Sequence, residues 1–176
     1  MDKTQNPWSV LVHVEDIPDT GLHVEIDAPE AVRAALRVLA HLRELPRLSA
    51  VFDLSRRGAG VRVTGQVSAR VGQTCVVTLE PVESNLEESV DLVFTPALAE
   101  SAKAETVDLG TQGEDSPEPL VGGKLDLGAI ATEFLLLGID PYPRKAGAEF
   151  APVKVDDGSA RPFAALEALK KRLGSG

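Results

Sequence analysis

The chain is poor in the residues that usually announce chemistry. Its 176 residues include one cysteine, one tryptophan, one tyrosine and three histidines, and aromatic residues make up only 4%. A single cysteine excludes an intramolecular disulfide and a cysteine-rich zinc site, and suits a reducing compartment. Scarce aromatics leave the core to Val, Leu, Ile and Ala, and offer little for stacking on unpaired bases. No apolar run approaches the roughly 18 residues that cross a bilayer. No basic stretch followed by an apolar segment opens the chain as a secretory signal would. A cytoplasmic protein without membrane attachment is expected, and the length suits one domain with a real core.

What the chain does have is charge, unevenly placed. The net charge is −9, opposite to the basic footprint of most nucleic-acid binders. Residues 98–120 carry six carboxylates against Lys103 alone, whereas residues 31–80 carry eight arginines against Glu44, Asp53 and Glu80. The distribution therefore says more about the folded surface than the total does.

The clearest pattern is VRVTGQVSARV at residues 61–71. Val61, Val63, Gly65, Val67, Ala69 and Val71 alternate with Arg62, Thr64, Gln66, Ser68 and Arg70, the period of a half-buried antiparallel strand. Similar alternation marks strands at Val10–Val14, Leu22–Ile26 and Leu48–Ser55. It also marks Thr74–Glu80, with Cys75, Val77 and Leu79 inward, and Leu86–Phe94. Arg56–Gly60 reads as a turn, Gly72-Gln73 as a tight reversal and Pro81–Asn85 as a bend. Asp27 suits the cap of a helix running to about Leu45, with Pro29 in its first turn and Val32, Ala35, Leu36 and Leu39 as its apolar face. Asp126 suits the cap of a second helix ending before Gly138, and Phe163, Leu166 and Leu169 share one side of a third. The expected fold is α+β. It is a single domain over residues 1–176, an antiparallel meander of about six strands that can curl towards a barrel. Three helices lie near residues 29–45, 126–137 and 161–173, and a flexible acidic loop at about 97–122.

Catalytic and cofactor signatures are weak throughout. His13 and His23 fall on polar strand faces, and no Ser or Cys occupies a nucleophile turn. Gly58, Gly60, Gly122 and Gly123 lack the strand–glycine–helix setting of a phosphate loop and read as turns. Glu133 lies inside a helix, where packing explains it better than proton transfer. Neither cofactor nor metal is expected, and Cys75 reads as a buried, inward-pointing residue. The positive candidates are cations. Arg33 and Arg37 stand one turn apart with His41 a turn further, a stripe of like charge that a polyanion would relieve. Arg56 and Arg57 lie at a hairpin tip, and Arg62 and Arg70 on the outward sheet face. Arg144 and Lys145 follow a stiff Pro-Tyr-Pro segment.

Two segments together carry a resemblance. GQVSARVGQTCVVTLEPVESNLEESVDLVFTP and, some thirty residues on, LDLGAIATEFLLLGIDPYPR resemble the YceD family of bacterial proteins. Cys75, Leu79, Pro81 and Val82 match its Cys-x-x-Cys-Leu-x-Pro-Val-like strand. Asp126, Leu127, Glu133, Leu135, Leu136 and Leu137 match its second motif, and the DPYPRKAGAEF ending resembles the alphaproteobacterial version. The position of the family's second cysteine holds Thr78, and no cysteine follows near the C-terminus, so a metal site of the kind some relatives suggest is not expected. The resemblance implies a non-enzymatic role in 23S rRNA accumulation and processing and in large-subunit assembly. The expected partner is 23S rRNA or its precursor, held through Arg33, Arg37, Arg56, Arg57, Arg62, Arg70, Arg144 and Lys145, with no DNA or membrane. The alternative is an adaptor that recruits a basic large-subunit ribosomal protein through the acidic loop.

Overall fold

The computed structural model describes residues 6–96 and 117–149. Strands β1 (Leu11–His13) and β2 (Leu22–Asp27) precede helix α1 (Glu30–Leu39). Three long strands follow: β3 (Glu44–Arg57), β4 (Gly60–Thr74) and β5 (Pro81–Pro96). Short strands β6 (Glu118–Leu120) and β7 (Lys124–Asp126) lead into helix α2 (Leu127–Gly138). The main sheet has the order β2-β3-β4-β5-β6, antiparallel except for β6, which pairs parallel with the end of β5. β1 and β7 form a separate antiparallel pair.

The fold is α+β as expected, with corrections. The sheet stays open, its order running from β2 to β6 without closing into a barrel. Two α-helices lie among the described residues, and the expected third, at 161–173, falls outside them, as does most of the 97–122 loop. Thr74–Glu80 is not a strand. β4 carries straight through Gly72 and Gln73 to Thr74, residues 75–80 make the connection, and β5 already begins at Pro81.

The alternation at 61–71 faces as read: Val61, Val63, Val67, Ala69 and Val71 are all buried. Leu48, Ala50, Phe52 and Leu54 of β3 join them on the same side, and Leu127, Ile130, Ala131 and Leu135 of α2 cover it. The core thus lies between one face of the sheet and a layer made by α1, α2 and the N-terminal segment around Trp8. Each fully buried aliphatic side chain contributes roughly 1.5–3 kcal/mol. Gly60 starts β4 because the hairpin Arg57-Gly58-Ala59-Gly60 has φ +60° at Gly58, the sign pattern of a two-residue type II′ turn.

α2 starts where its cap predicts. The Asp126 carboxylate accepts from the Ala129 amide at 3.1 Å, from the Val10 amide at 2.9 Å and from the Ser9 hydroxyl at 2.7 Å. One side chain therefore caps a helix and anchors the N-terminal segment. α1 departs from expectation at both ends. Its N-cap is Pro29, with Asp27 still in β2, and it stops at Leu39 rather than about Leu45. The stop is a Schellman turn: Leu42 N–H donates to Arg37 C=O at 2.9 Å and His41 N–H to Val38 C=O at 3.3 Å. His41 occupies the left-handed position of that turn with φ +54°, where an L-residue carries a steric penalty that glycine lacks. His41→Gly is expected to raise the urea midpoint, by about 0.5–1 kcal/mol of stability. A lower midpoint would show that the imidazole makes a contact worth more than the strain.

Candidate nucleic-acid interface

The expected arginine face of the sheet is not free. Arg62 donates through Nε and Nη2 to both carboxylate oxygens of Asp91, at 2.9 and 2.6 Å. This bidentate pair holds the Asp91 carboxyl below the usual carboxylate range. Arg70 Nε and Nη2 both donate to one oxygen of Glu83, Oε2. Across this outward face the register places exposed Glu25, Asp27, Asp53, Glu83, Glu87 and Asp91 against Arg47, Arg62 and Arg70. The face is net negative, the reverse of the expectation. His23 belongs to the same set: its Nδ1 lies 2.7 Å from Asp53 Oδ1, and the hydrogen bonds to Asp53 and then Glu25 push the imidazole pKa up.

Arg56 and Lys145 are also committed within the molecule. Arg56 Nε donates to the Ile17 carbonyl at 2.7 Å, and Nη2 to the carbonyls of Val14 and Glu15 at 3.0 and 3.1 Å. It bolts the short 3₁₀ turn at Val14–Asp16 onto the hairpin tip. Lys145 Nζ pairs with Glu80 at 2.8 Å. Arg57 is exposed at the hairpin tip, and Arg144 is exposed on the segment that follows α2.

Arg33 and Arg37 are brought together as expected, but their stripe does not continue to His41. It turns instead into Arg43. The Schellman turn folds the chain back so that Arg33, Arg37 and Arg43 line one open cleft of about 410 Å³ between α1 and the start of β3, a lining they share with Glu30 and Glu44. Arg33 Nη1 donates to the Ala28 carbonyl at 2.6 Å, and Arg37 Nη1 makes a long 3.4 Å contact with the Arg43 carbonyl. Each guanidinium has five N–H donors, so most remain for a ligand. Among the described residues none of these three arginines forms an ion pair. Arg43 N–H donates to the Gly72 carbonyl at 2.8 Å, which fixes the cleft at the Gly72 end of β4. Arg47, opposite Arg70 in register, and Arg144, on the segment whose Asp140 carbonyl accepts from Gln73, belong to that same end. Arg57 is at the other end of β3, about 45 Å away at strand rise. Sequence reading missed Arg43 because it takes the helix to continue to Leu45. Pro46 bars a helix from running through it but does not mark a stop as early as Leu39.

Cys75 is fully buried, as expected, yet it does not sit in a strand. It opens the 75–80 connection, where its amide donates to the Glu80 carbonyl at 2.8 Å and the Leu79 amide donates back to its carbonyl at 3.0 Å. Its Sγ accepts from the amides of Thr78 and Lys145, each at 3.4 Å. The thiol pKa falls from 9.0 to about 6, chiefly through the Thr78 hydroxyl and then the Lys145 and Thr78 amides, against the opposing effect of burial. A depressed folded-state value means stability gained above the unfolded thiol's range and lost as pH falls through about 6. The urea midpoint of the wild type relative to Cys75→Ser is therefore expected to rise between about pH 6 and pH 9. A flat difference would show that the thiol stays protonated. Among the described residues no three His, Cys, Asp or Glu side chains converge as a metal set would require, and no helix is long and apolar enough to cross a membrane.

An open five-stranded sheet with a helix layer on one face and a guanidinium cleft at one corner defines a protein of the α+β class. Residues 63–170 match the family model described as "Large ribosomal RNA subunit accumulation protein YceD". The chain belongs to the YceD family, which places it among proteins of large ribosomal RNA subunit accumulation. No curated protein and no solved structure matches the chain.

Proposed function

We propose that this protein is a non-enzymatic factor that contacts 23S rRNA or its precursor in the cytoplasm through the corner formed by Arg33, Arg37 and Arg43. The observation that carries this reading is three exposed or half-exposed guanidiniums in one cleft, none in an ion pair among the described residues, beside a sheet face on which Arg62 and Arg70 are neutralised. Such a cleft suits phosphodiester oxygens, which accept bidentate hydrogen bonds from guanidinium. Base stacking has little support, since Tyr142 is the one aromatic among the large exposed apolar residues described. Recognition by backbone and shape follows. The test is filter binding of a labelled precursor fragment across a salt series, with the triple Arg→Glu variant of the cleft.

A second reading draws support from the net-negative outward sheet face, which suits a basic large-subunit ribosomal protein better than RNA. Charge reversal of Glu87 and Asp91 to Lys separates the two. It weakens capture of a basic partner, while RNA affinity holds or rises.

A further inference from the structure

Strand β2 ends the main sheet: among the described residues it pairs with β3 and with no other strand. Its register, with the Ala28 amide donating to the Leu48 carbonyl at 2.9 Å, fixes which of its groups that pairing uses. Hydrogen-bonded pairs recur at every second residue of an antiparallel ladder, so Leu22, Val24 and Ile26 turn their N–H and C=O groups to β3. His23, Glu25 and Asp27 turn theirs to the outer edge. Among the described residues no backbone hydrogen bond reaches that edge. Several devices that blunt an edge are missing too. The strand, LHVEID, has neither lysine nor proline, and its register runs without a bulge.

The two faces of this strand differ in chemistry. On the outward face His23, Glu25 and Asp27 are exposed. His23 is taken by Asp53 at 2.7 Å and lies 3.4 Å from Glu25. Asp27 forms no ion pair among the described residues, although Arg47 stands diagonal to it in register. On the inward face Leu22 and Val24 are half-buried and Ile26 is buried.

We propose that the β2 edge takes an extended segment of a basic protein partner as an added antiparallel strand. Its Arg or Lys residues stand at alternate positions, opposite Glu25 and Asp27, with apolar residues between them. The inference rests on the second reading above, in which the acidic sheet face serves a basic partner. Backbone hydrogen bonds to His23, Glu25 and Asp27 supply affinity, and the alternate side chains supply specificity. In this orientation each basic side chain lies directly across from a carboxylate, with Cβ atoms about 5 Å apart. The apolar residues between them extend the layer to which Leu22 and Val24 belong. A second copy of the chain fits less well. Laid antiparallel over residues 23–27, it sets Glu25 against Glu25, and like charges directly opposite are destabilising.

The test uses the full chain and a short capped peptide of alternating arginine and valine. Two further versions are N-methylated, one on its arginines and one on its valines, which removes backbone donors and leaves the charge alone. In the proposed orientation the arginine N–H groups face β2 and the valine N–H groups face away. Fluorescence anisotropy is expected to show about a tenfold loss of affinity for the arginine-methylated peptide, as its hydrogen bonds to β2 are lost. The valine-methylated peptide is expected to bind as the parent does. Amide hydrogen exchange at His23, Glu25 and Asp27 is expected to slow about tenfold when the parent peptide is bound. Glu25→Lys with Asp27→Lys, both at exposed positions, is expected to weaken the parent about tenfold. Equal losses for the two methylated peptides, unchanged affinity in the double variant, or no binding by the parent would each overturn the proposal. The second reading is judged apart from it, by whether Glu87→Lys with Asp91→Lys on β5, three strands from this edge, weakens capture of a basic large-subunit protein.

Discussion

Replacing Gly65 by alanine is expected to cost about 3 kcal/mol, the upper end of what overpacking a close-packed interior costs. A Cβ at this position would press into the Val51 carbonyl oxygen, with the Phe52 Cα and Cδ1 atoms at 3.0 Å. Val51 and Phe52 lie on the neighbouring strand, and Phe52 stands opposite Gly65 in register. The obstacle is hydrogen-bonded backbone, which cannot swing aside as the end of a long side chain can. The Phe52 ring is fully buried against the same spot, so any retreat of β3 opens the middle of the core. For a protein of this size the change lowers Tm by about 2–4 °C per kcal/mol, a loss visible in any thermal scan. Gly122→Ala provides the comparison. Nothing lies within 4 Å of its added Cβ, and the penalty is confined to its φ of +63°, worth about 1–2 kcal/mol. Equal losses for the two variants would mean that the β3–β4 approach is looser than described.

The second large effect concerns RNA. Reversing Arg33, Arg37 and Arg43 together to Glu is expected to lower affinity for a precursor 23S rRNA fragment by about a thousandfold. Three charge-assisted contacts at about 1.5 kcal/mol each add to about 4.5 kcal/mol, and each 1.4 kcal/mol is tenfold. The slope of log affinity against log salt is expected to lose about one unit per contact removed, because fewer counterions are released on binding. Arg62→Glu and Arg57→Glu serve as controls. The first side chain is committed to Asp91 and the second lies at the far end of β3, so neither is expected to change the slope. Wild-type affinity in the triple variant would remove the cleft from the RNA reading. Loss in the Arg62 variant alone would return the interface to the sheet.

The legible parts of this fold were those decided by local pattern. Alternation placed Val61 to Val71 on the correct side because a strand's period is independent of what it packs against. Asp126 announced α2 because a cap acts within one turn. Cys75, Val77 and Leu79 also alternate, yet Leu79 adopts φ +60° and is 74% exposed. The connection is closed by hydrogen bonds that alternation does not encode. The end of α1 was misplaced because the usual glycine is missing and His41 takes its left-handed position.

The candidate site was half legible. Arg33 and Arg37 share a helix face, so their proximity follows from spacing alone. Arg43 joins them only through a turn. The fates of Arg62 and Arg70 depend on which residue of β5 stands diagonally opposite, a register set by the whole sheet. Arg56 finds its acceptors in carbonyls some forty residues earlier, among groups that carry no sequence signature.

Strand β1 near the start of the chain pairs with β7, Leu11 standing opposite Asp126. On a translating ribosome, that partner is made some 115 residues later, roughly 6–23 s at common elongation rates. Strand β1 must therefore wait, unpaired, while the long hairpins behind it assemble. Slow decoding anywhere between these two strands prolongs the time that Trp8 and its neighbours spend in water.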